Sequence, residues 1–130
     1  MTDAKILIVD DDQYIVRLLF AYMKEAGFTN VSSITDSRKA VDAYLSIEPD
    51  LLILDLFMPF LDGFSVMERI KTLSPEPPNI LILTFLDEPS TRTRALDAGA
   101  VDVLGKPFGR TDAITKIKAA LAAGEKKKQP

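Results

Sequence analysis

Cysteine, histidine and tryptophan are absent from the 130 residues. Without cysteine there is no disulfide, no thiol nucleophile and no thiolate metal ligand. Without histidine there is no imidazole base, no Ser-His-Asp triad and no ordinary zinc site. Any chemistry falls to carboxylates, hydroxyls, lysine and arginine. Long apolar runs are also missing. None approaches the roughly 20 residues that a membrane-spanning helix needs. Lys5 is followed by four apolar residues and then by acid, which is not a signal-peptide pattern. The expected location is the cytoplasm, without membrane contact. A basic excess is missing too. The net charge is −3, whereas a nucleic-acid binder shows a basic stripe. The one basic run, Lys126, Lys127 and Lys128, reads as a solvated tail or the start of a linker, so no nucleic-acid contact is expected.

Apolar residues make up 47% of the chain, enough for one buried core. One domain is expected over residues 1–123, with a basic tail or linker start over 124–130. Five short apolar runs alternate with helix-period segments. Ile6 to Val9 opens the series. A stripe of Ile15, Leu18, Leu19, Tyr22, Met23 and Ala26 follows, stopped by Gly27. Val31 to Ile34 is a weaker strand, and Asp36 or Ser37 caps a helix bearing Ala40, Val41, Tyr44 and Leu45. Leu51 to Leu54 precedes a helix over 63–73 with Phe64, Met67 and Ile70 inward. Ile80 to Leu83 precedes a helix opened by Pro89 or Ser90 and ending near Gly99. Asp102 to Gly105 is a short strand before a last helix over 112–123, with Ile114, Ile117, Ala120 and Leu121 on one side. The first, third and fourth runs are continuously aliphatic, the mark of strands covered on both faces. Strict βα alternation implies a doubly wound α/β domain, a five-stranded parallel sheet of flavodoxin-like order 2-1-3-4-5 flanked by five helices.

Ligands in such sheets bind outside the carboxyl ends of the strands, at the switch in strand order. The residues ending these runs are therefore the candidates for chemistry. The first run ends in Asp10, Asp11 and Asp12, the third in Asp55, the fourth in Thr84 and the fifth in Lys106. Carboxylates gathered on one rim repel unless a cation intervenes. A hard divalent ion with oxygen ligands answers that need, and Mg²⁺ is the natural one. Phosphoryl transfer asks for an in-line nucleophile and neutralised oxygens. Asp55 fits the nucleophile, and Mg²⁺, Lys106 and the Thr84 hydroxyl fit the neutralising groups. Taken singly, each has a plain structural reading: a cap, a strand end or a surface lysine. Together, those readings leave an acidic cluster with nothing to balance it.

The segments ILIVDDD, LLILDLFMPFLDG, ILILT and GAVDVLGKPF, in that order, resemble the receiver domains of two-component response regulators over roughly residues 4–122. The resemblance implies that Asp55 is the phosphoacceptor. It implies that Asp10 and Asp11 are the acidic pair holding Mg²⁺, with Asp11 the direct ligand. The main-chain carbonyl of Phe57 would be a further ligand, Thr84 the switching hydroxyl and Lys106 the lysine that pairs with the phosphoryl group. A cis bond before Pro107 is common in such domains, and Asp12 flanks the pair or caps a helix. The implied partners are a sensor histidine kinase or a histidine phosphotransfer protein upstream, and a protein effector or fused output domain downstream. A homodimer formed on phosphorylation is a further allowance. The domain would catalyse at most its own phosphorylation and dephosphorylation. No output domain follows before Pro130, so a stand-alone receiver or the N-terminal piece of a longer protein is expected.

Some positions depart from the family pattern. Phe85 follows Thr84 where a small residue is usual, and Val103 stands where a switching Tyr or Phe is usual. Phe57 and Leu86 occupy the positions that commonly tune hydrolysis, and Phe60 follows the Met-Pro dipeptide in place of a small or polar residue. These imply a drier site, a slowly hydrolysed acyl phosphate, and coupling through Thr84 and the loop before the fourth helix. The rivals are a receiver-fold interaction module working without phosphorylation, an Asp-nucleophile Mg²⁺-dependent phosphohydrolase, and a flavin or nucleotide carrier. A phosphohydrolase would carry a second Asp at position 57, and a carrier would have a Gly-rich first loop in place of an acidic one.

Overall fold

The structure is a computed structural model, and it describes residues 3–128, with side chains through residue 125. Five strands and five helices alternate: β1 (Ile6–Val9), α1 (Gln13–Glu25), β2 (Val31–Ile34), α2 (Ala40–Ile47), β3 (Leu51–Asp55), α3 (Gly63–Leu73), β4 (Ile80–Thr84), α4 (Pro89–Asp97), β5 (Asp102–Gly105) and α5 (Arg110–Lys128). The sheet is wholly parallel in the order β2-β1-β3-β4-β5. The expected α/β architecture and strand order are those observed.

Alternation along each strand splits the core in two. Leu7, Val9, Leu52, Leu54, Ile80, Ile82 and Val103 meet α2, α3 and α4 on one face. Ile6, Ile8, Leu51, Ile53, Leu81, Leu83 and Leu104 meet α1 and α5 on the other. β1, β3 and β4 are buried throughout, as their unbroken aliphatic runs require, whereas the edge strand β2 is half-buried. Each fully buried Leu or Ile contributes about 1.5–3 kcal/mol of transfer free energy.

The helices differ from the sequence expectation in detail. On α1, Val16 is buried and Leu18 only partly so, and Ala26 lies just past the helix as its cap. Asp36 does cap, but it caps a 3₁₀ turn over Ser37–Lys39 that precedes α2, and Leu45 faces solvent. Val66 joins Met67 and Ile70 in the core, while Phe64 is half-buried beneath the Arg94 guanidinium, 3.9 Å from its ring centre. α5 starts two residues earlier than expected and runs past Ala123 to Lys128. Gly124 does not stop it. The Asn79 side chain reaches α5 there, donating to the Ala120 and Asp50 carbonyls at 2.9 and 3.1 Å, and a Cβ at position 124 would lie 2.5 Å from Asn79 Nδ2.

Gly63 sets the seat of α3. A Cβ there would lie 2.6 Å from the Asp55 carbonyl oxygen and 2.9 Å from Leu56 Cα, both main-chain atoms that do not yield. Its N–H donates to the Leu56 carbonyl at 2.8 Å. Gly63→Ala should therefore destabilise the fold by about 1–3 kcal/mol through overpacking, read as a lowered urea midpoint with an unchanged slope.

Candidate functional site

The carboxyl ends of β1, β3, β4 and β5 bring the predicted residues to one cleft. Asp10 follows β1 and is fully buried, and Asp55, the last residue of β3, is 4% exposed. Asp11 is exposed at the rim. One oxygen from each of Asp10, Asp11 and Asp55 lies within 4.8 Å of the others. The loop holds Asp10 in place: its Oδ1 accepts the Asp12 N–H at 2.9 Å, and its own N–H donates to the Ile34 carbonyl at 3.2 Å. Asp12 stands outside the cluster and caps α1, its Oδ1 accepting the Tyr14 N–H. Asp55 Oδ1 accepts weakly from the Phe57 N–H at 3.5 Å.

Lys106 enters from the far end of β5. Its side chain is 2% exposed, and its Nζ sits 2.8 Å from Asp10 Oδ2 and 3.4 Å from Asp55 Oδ1. A buried ammonium between two buried carboxylates is costly unless the groups pair. It neutralises part of the cluster and leaves the acids in excess. The main chain keeps Lys106 in register, its N–H donating to the Thr84 carbonyl at 2.8 Å, and the Lys106–Pro107 peptide is cis. Thr84 is fully buried at the end of β4, with its Oγ1 accepting the Leu86 N–H at 3.0 Å.

Burial pushes the Asp55 carboxyl up to about 7, helped by the negative charge of Asp10 and opposed by the Lys106 ammonium. Withdrawal from water disfavours the charged form, and a like charge alongside adds to it. A cation added to the cleft would reverse that balance. The donors are all carboxylate oxygens, the ligand class a small hard divalent ion takes.

Four of the departures from the family pattern, Phe57, Phe60, Phe85 and Leu86, are exposed around the cleft. The Phe85 ring is 67% exposed and stands 5.0 Å from Lys106 Nζ, a cation–π distance. Phe57 and Leu86 are about half exposed. Phe60 is 75% exposed at φ +72°, a left-handed conformation that bulky residues rarely adopt, and its ring lies 4.0 Å from the Arg38 guanidinium. Val103 is buried in the core.

Ser37, read from the sequence only as an alternative helix cap, braces the site from the side. Its Oγ donates to the Pro59 carbonyl and accepts the Leu61 N–H at 3.2 Å, tying the turn before α2 to the loop after Asp55. No periodic signal marks such a residue, since both partners are main-chain groups of a loop.

The family model of the response regulator receiver domain matches residues 6–118. The chain is a response regulator receiver domain. This receiver is 38% identical over 117 residues to the response regulator MprA of Mycolicibacterium vanbaalenii and to that of Mycobacterium avium. The match takes in 90% of this receiver, which spans about half the length of those curated relatives. Among solved structures, the receiver domain of the Francisella response regulator 1452 superposes with a TM-score of 0.83 at 26% identity, covering 93% of this receiver and 98% of that chain. The Vibrio cholerae chemotaxis protein CheY4 gives 0.81 at 28%, covering 91% and 98%. No helix among the described residues is long and apolar enough to cross a membrane.

Proposed function

We propose that this receiver is a phosphoacceptor switch. It takes a phosphoryl group from a phosphohistidine onto Asp55 and thereby changes its affinity for a protein partner. The observation that carries the reading is the Asp10–Lys106–Asp55 arrangement, a nucleophilic carboxylate buried beside one ammonium and one further acid. Asp55 carries no obligatory structural partner. Its Oδ1 has the distant Phe57 N–H and a 3.4 Å ion pair, which leaves the carboxylate available to attack. A carboxylate oxygen of Asp55 attacks phosphorus, the P–N bond of the donor breaks, and the imidazole departs with the bonding pair. The Lys106 ammonium, already within the cleft, takes up the charge gathering on the phosphoryl oxygens. The Thr84 hydroxyl adds a donor from β4.

Phosphorylation and Mg²⁺ are typical of the family. The cluster fits that ion: three carboxylates within mutual reach, and no nitrogen or sulfur ligand. Asp10, Asp11 and Asp55 would hold it, with the Phe57 carbonyl as a further oxygen. When bound, it would supply positive charge against the transferring oxygens. The expected setting is the cytoplasm. The expected donor is a sensor histidine kinase or histidine phosphotransfer protein, and the expected recipient of the signal is a protein effector or a fused output domain. Phe57 and Leu86 offer no group to orient a hydrolytic water, so the phosphorylated form is long-lived.

The test is labelling with acetyl phosphate in Mg²⁺ buffer, followed by intact mass. A gain of one phosphate is expected in the wild type and none in Asp55→Asn, with a half-life longer than seconds after the donor is removed. Wild-type protein that never gains mass would return the chain to the rival reading of a phosphorylation-independent interaction module. Steady release of inorganic phosphate from a small substrate would favour the phosphohydrolase.

A further inference from the structure

Among the described residues, the large apolar side chains left in water are not spread evenly. Tyr14, Phe57, Phe60, Phe85 and Leu86 are between 48% and 75% exposed, and all lie just past the carboxyl ends of β1, β3 and β4. Leu45, Leu73 and Leu96 sit singly on α2, α3 and α4. Single exposed apolar residues need no explanation, whereas a gathering of them marks an interaction site.

Phe60 is the most exposed of these, and it is held there against its own conformational preference. The Leu61 N–H donates back to the Pro59 carbonyl at 2.9 Å, closing a three-residue γ-turn with Phe60 at its centre. A φ of +72° makes this the rare, strained form of that turn, which suits glycine better than a bulky residue. Such strain lasts only where the surroundings over-determine it. Buried Ser37 does so here. Its Oγ donates to the Pro59 carbonyl and accepts the Leu61 N–H at 3.2 Å, one contact on each side of Phe60. The ring is fixed as well. The Arg38 guanidinium lies 4.0 Å from its centre and is itself held on Asp36, with Nε and Nη2 each donating at 3.0 Å. An exposed aromatic with a clamped backbone and a stacked ring has little freedom left to lose on binding.

The ring also adjoins the acceptor cleft. Phe60, Pro59, Arg38 and Asp11 line one recess of about 240 Å³, and Asp11 is the rim member of the carboxylate cluster. Asp55 itself is 4% exposed. A phosphohistidine must enter the cleft to bring its phosphorus to Asp55, so the protein surface that carries it comes to rest against the loops at the opening.

We infer that Phe60 is the anchor by which this receiver selects its protein phosphodonor, the fixed ring entering an apolar hollow beside the donor's phosphohistidine. This rests on the phosphoacceptor reading of Asp55. The role is recognition: Asp55, Lys106 and Thr84 carry the chemistry, and a small donor has no surface for the ring to grip.

Phosphotransfer kinetics separate the two. The probes are acetyl phosphate and the sensor histidine kinases and histidine phosphotransfer proteins of the same organism, each phosphorylated on histidine beforehand. With the protein donor that labels wild type fastest, Phe60→Asn is expected to lower kcat/KM about tenfold or more through a raised KM, since a buried aromatic anchor carries a large share of binding energy. Phe60→Tyr should keep most of the wild-type value. Labelling by acetyl phosphate should be unchanged in both. Asn accepts a positive φ more readily than Phe, so the urea midpoint of Phe60→Asn should equal or exceed that of wild type. A lowered midpoint would make Phe60 a structural residue and overturn the anchor. Unchanged transfer from the protein donor, a loss confined to kcat, or an equal loss with acetyl phosphate would overturn it too. Wild type labelled by acetyl phosphate but by no protein donor overturns the anchor and leaves Asp55 an acceptor. Wild type that gains phosphate from none of the probes overturns both readings.

Discussion

Replacing Asp55 with Asn is expected to make the metal-free protein more stable at pH 8 by about 2–4 kcal/mol, and to change it little near pH 4. The carboxyl has a folded-state pKa of about 7 against an ordinary value of 3.8. Below 3.8 it is protonated in folded and unfolded chains alike, and wild type carries no penalty. Between 3.8 and 7 the unfolded chain gives up the proton while the folded chain keeps it, so stability falls as pH rises. Above 7 the folded chain must hold the charge, and the penalty stays constant. A shift of this size corresponds to about 4 kcal/mol, the attraction of the Lys106 ammonium being already included in it. Asn has the same shape and never ionises. Urea midpoints of both proteins in chelator, across pH 4 to 8, should converge at the acid end and separate through the middle. Parallel curves would show that the buried carboxyl does not hold its proton. The same strain is what makes the cleft receptive: an acid favouring neutrality in the empty fold releases that penalty when positive charge arrives.

Lys106→Met is expected to have the opposite sign, a loss of about 3 kcal/mol or more at pH 8 without divalent ion. The substitution keeps most of the length and removes the ammonium, leaving Asp10 Oδ2 without its 2.8 Å partner in a site closed to water. Breaking a buried pair by deleting one member costs more than the pair contributed, because an uncompensated charge stays behind. The loss should be smaller at pH 5, where Asp55 carries its proton. It should shrink again as MgCl₂ is added, because the cleft without its ammonium is one positive charge poorer and binds the cation more tightly than wild type does, which stabilises the variant's folded state more. Denaturation of the variant at the two pH values, with and without Mg²⁺, checks both trends. A Lys106→Met protein as stable as wild type at pH 8 would mean that the cleft is wetter than its burial implies.

The parts of this molecule legible in the sequence are those built from contiguous residues. Unbroken aliphatic runs located β1, β3 and β4 because double burial leaves no polar positions, and the residue ending each run faced the cleft because a parallel sheet gathers its carboxyl ends. Asp10, Asp11, Asp55 and Lys106 were nameable in advance for that reason. Helix faces were less legible. A stripe spaced for α1 admits Leu18 or Val16, and the packing onto β1 and β3 decided for Val16. Leu45 fits a helical stripe, yet α2 is only eight residues long and ends with Leu45 outside the contact. The ion pair between Arg92 of α4 and Asp102 of β5, at 3.0 Å, had no signature at all. α4 carries few apolar residues, and Arg92 reads as one solvated cation among several until folding places it over Asp102. Gly124 lies within α5, and the Asn79 side chain that fills the space its Cβ would need lies 45 residues away in the chain.

The bare main-chain contact between Gly63 and Asp55 decides where an event at the acceptor is felt. With no side chain as a cushion, the start of α3 and the end of β3 form a single unit, and nothing on that side can give way. On the opposite flank the loop after β4 is held, among the described residues, by a single polar contact to that strand's end, the Leu86 N–H donating to the Thr84 hydroxyl at 3.0 Å. A phosphoryl group on Asp55 is therefore expected to disturb the loop after β4 before it disturbs the seat of α3.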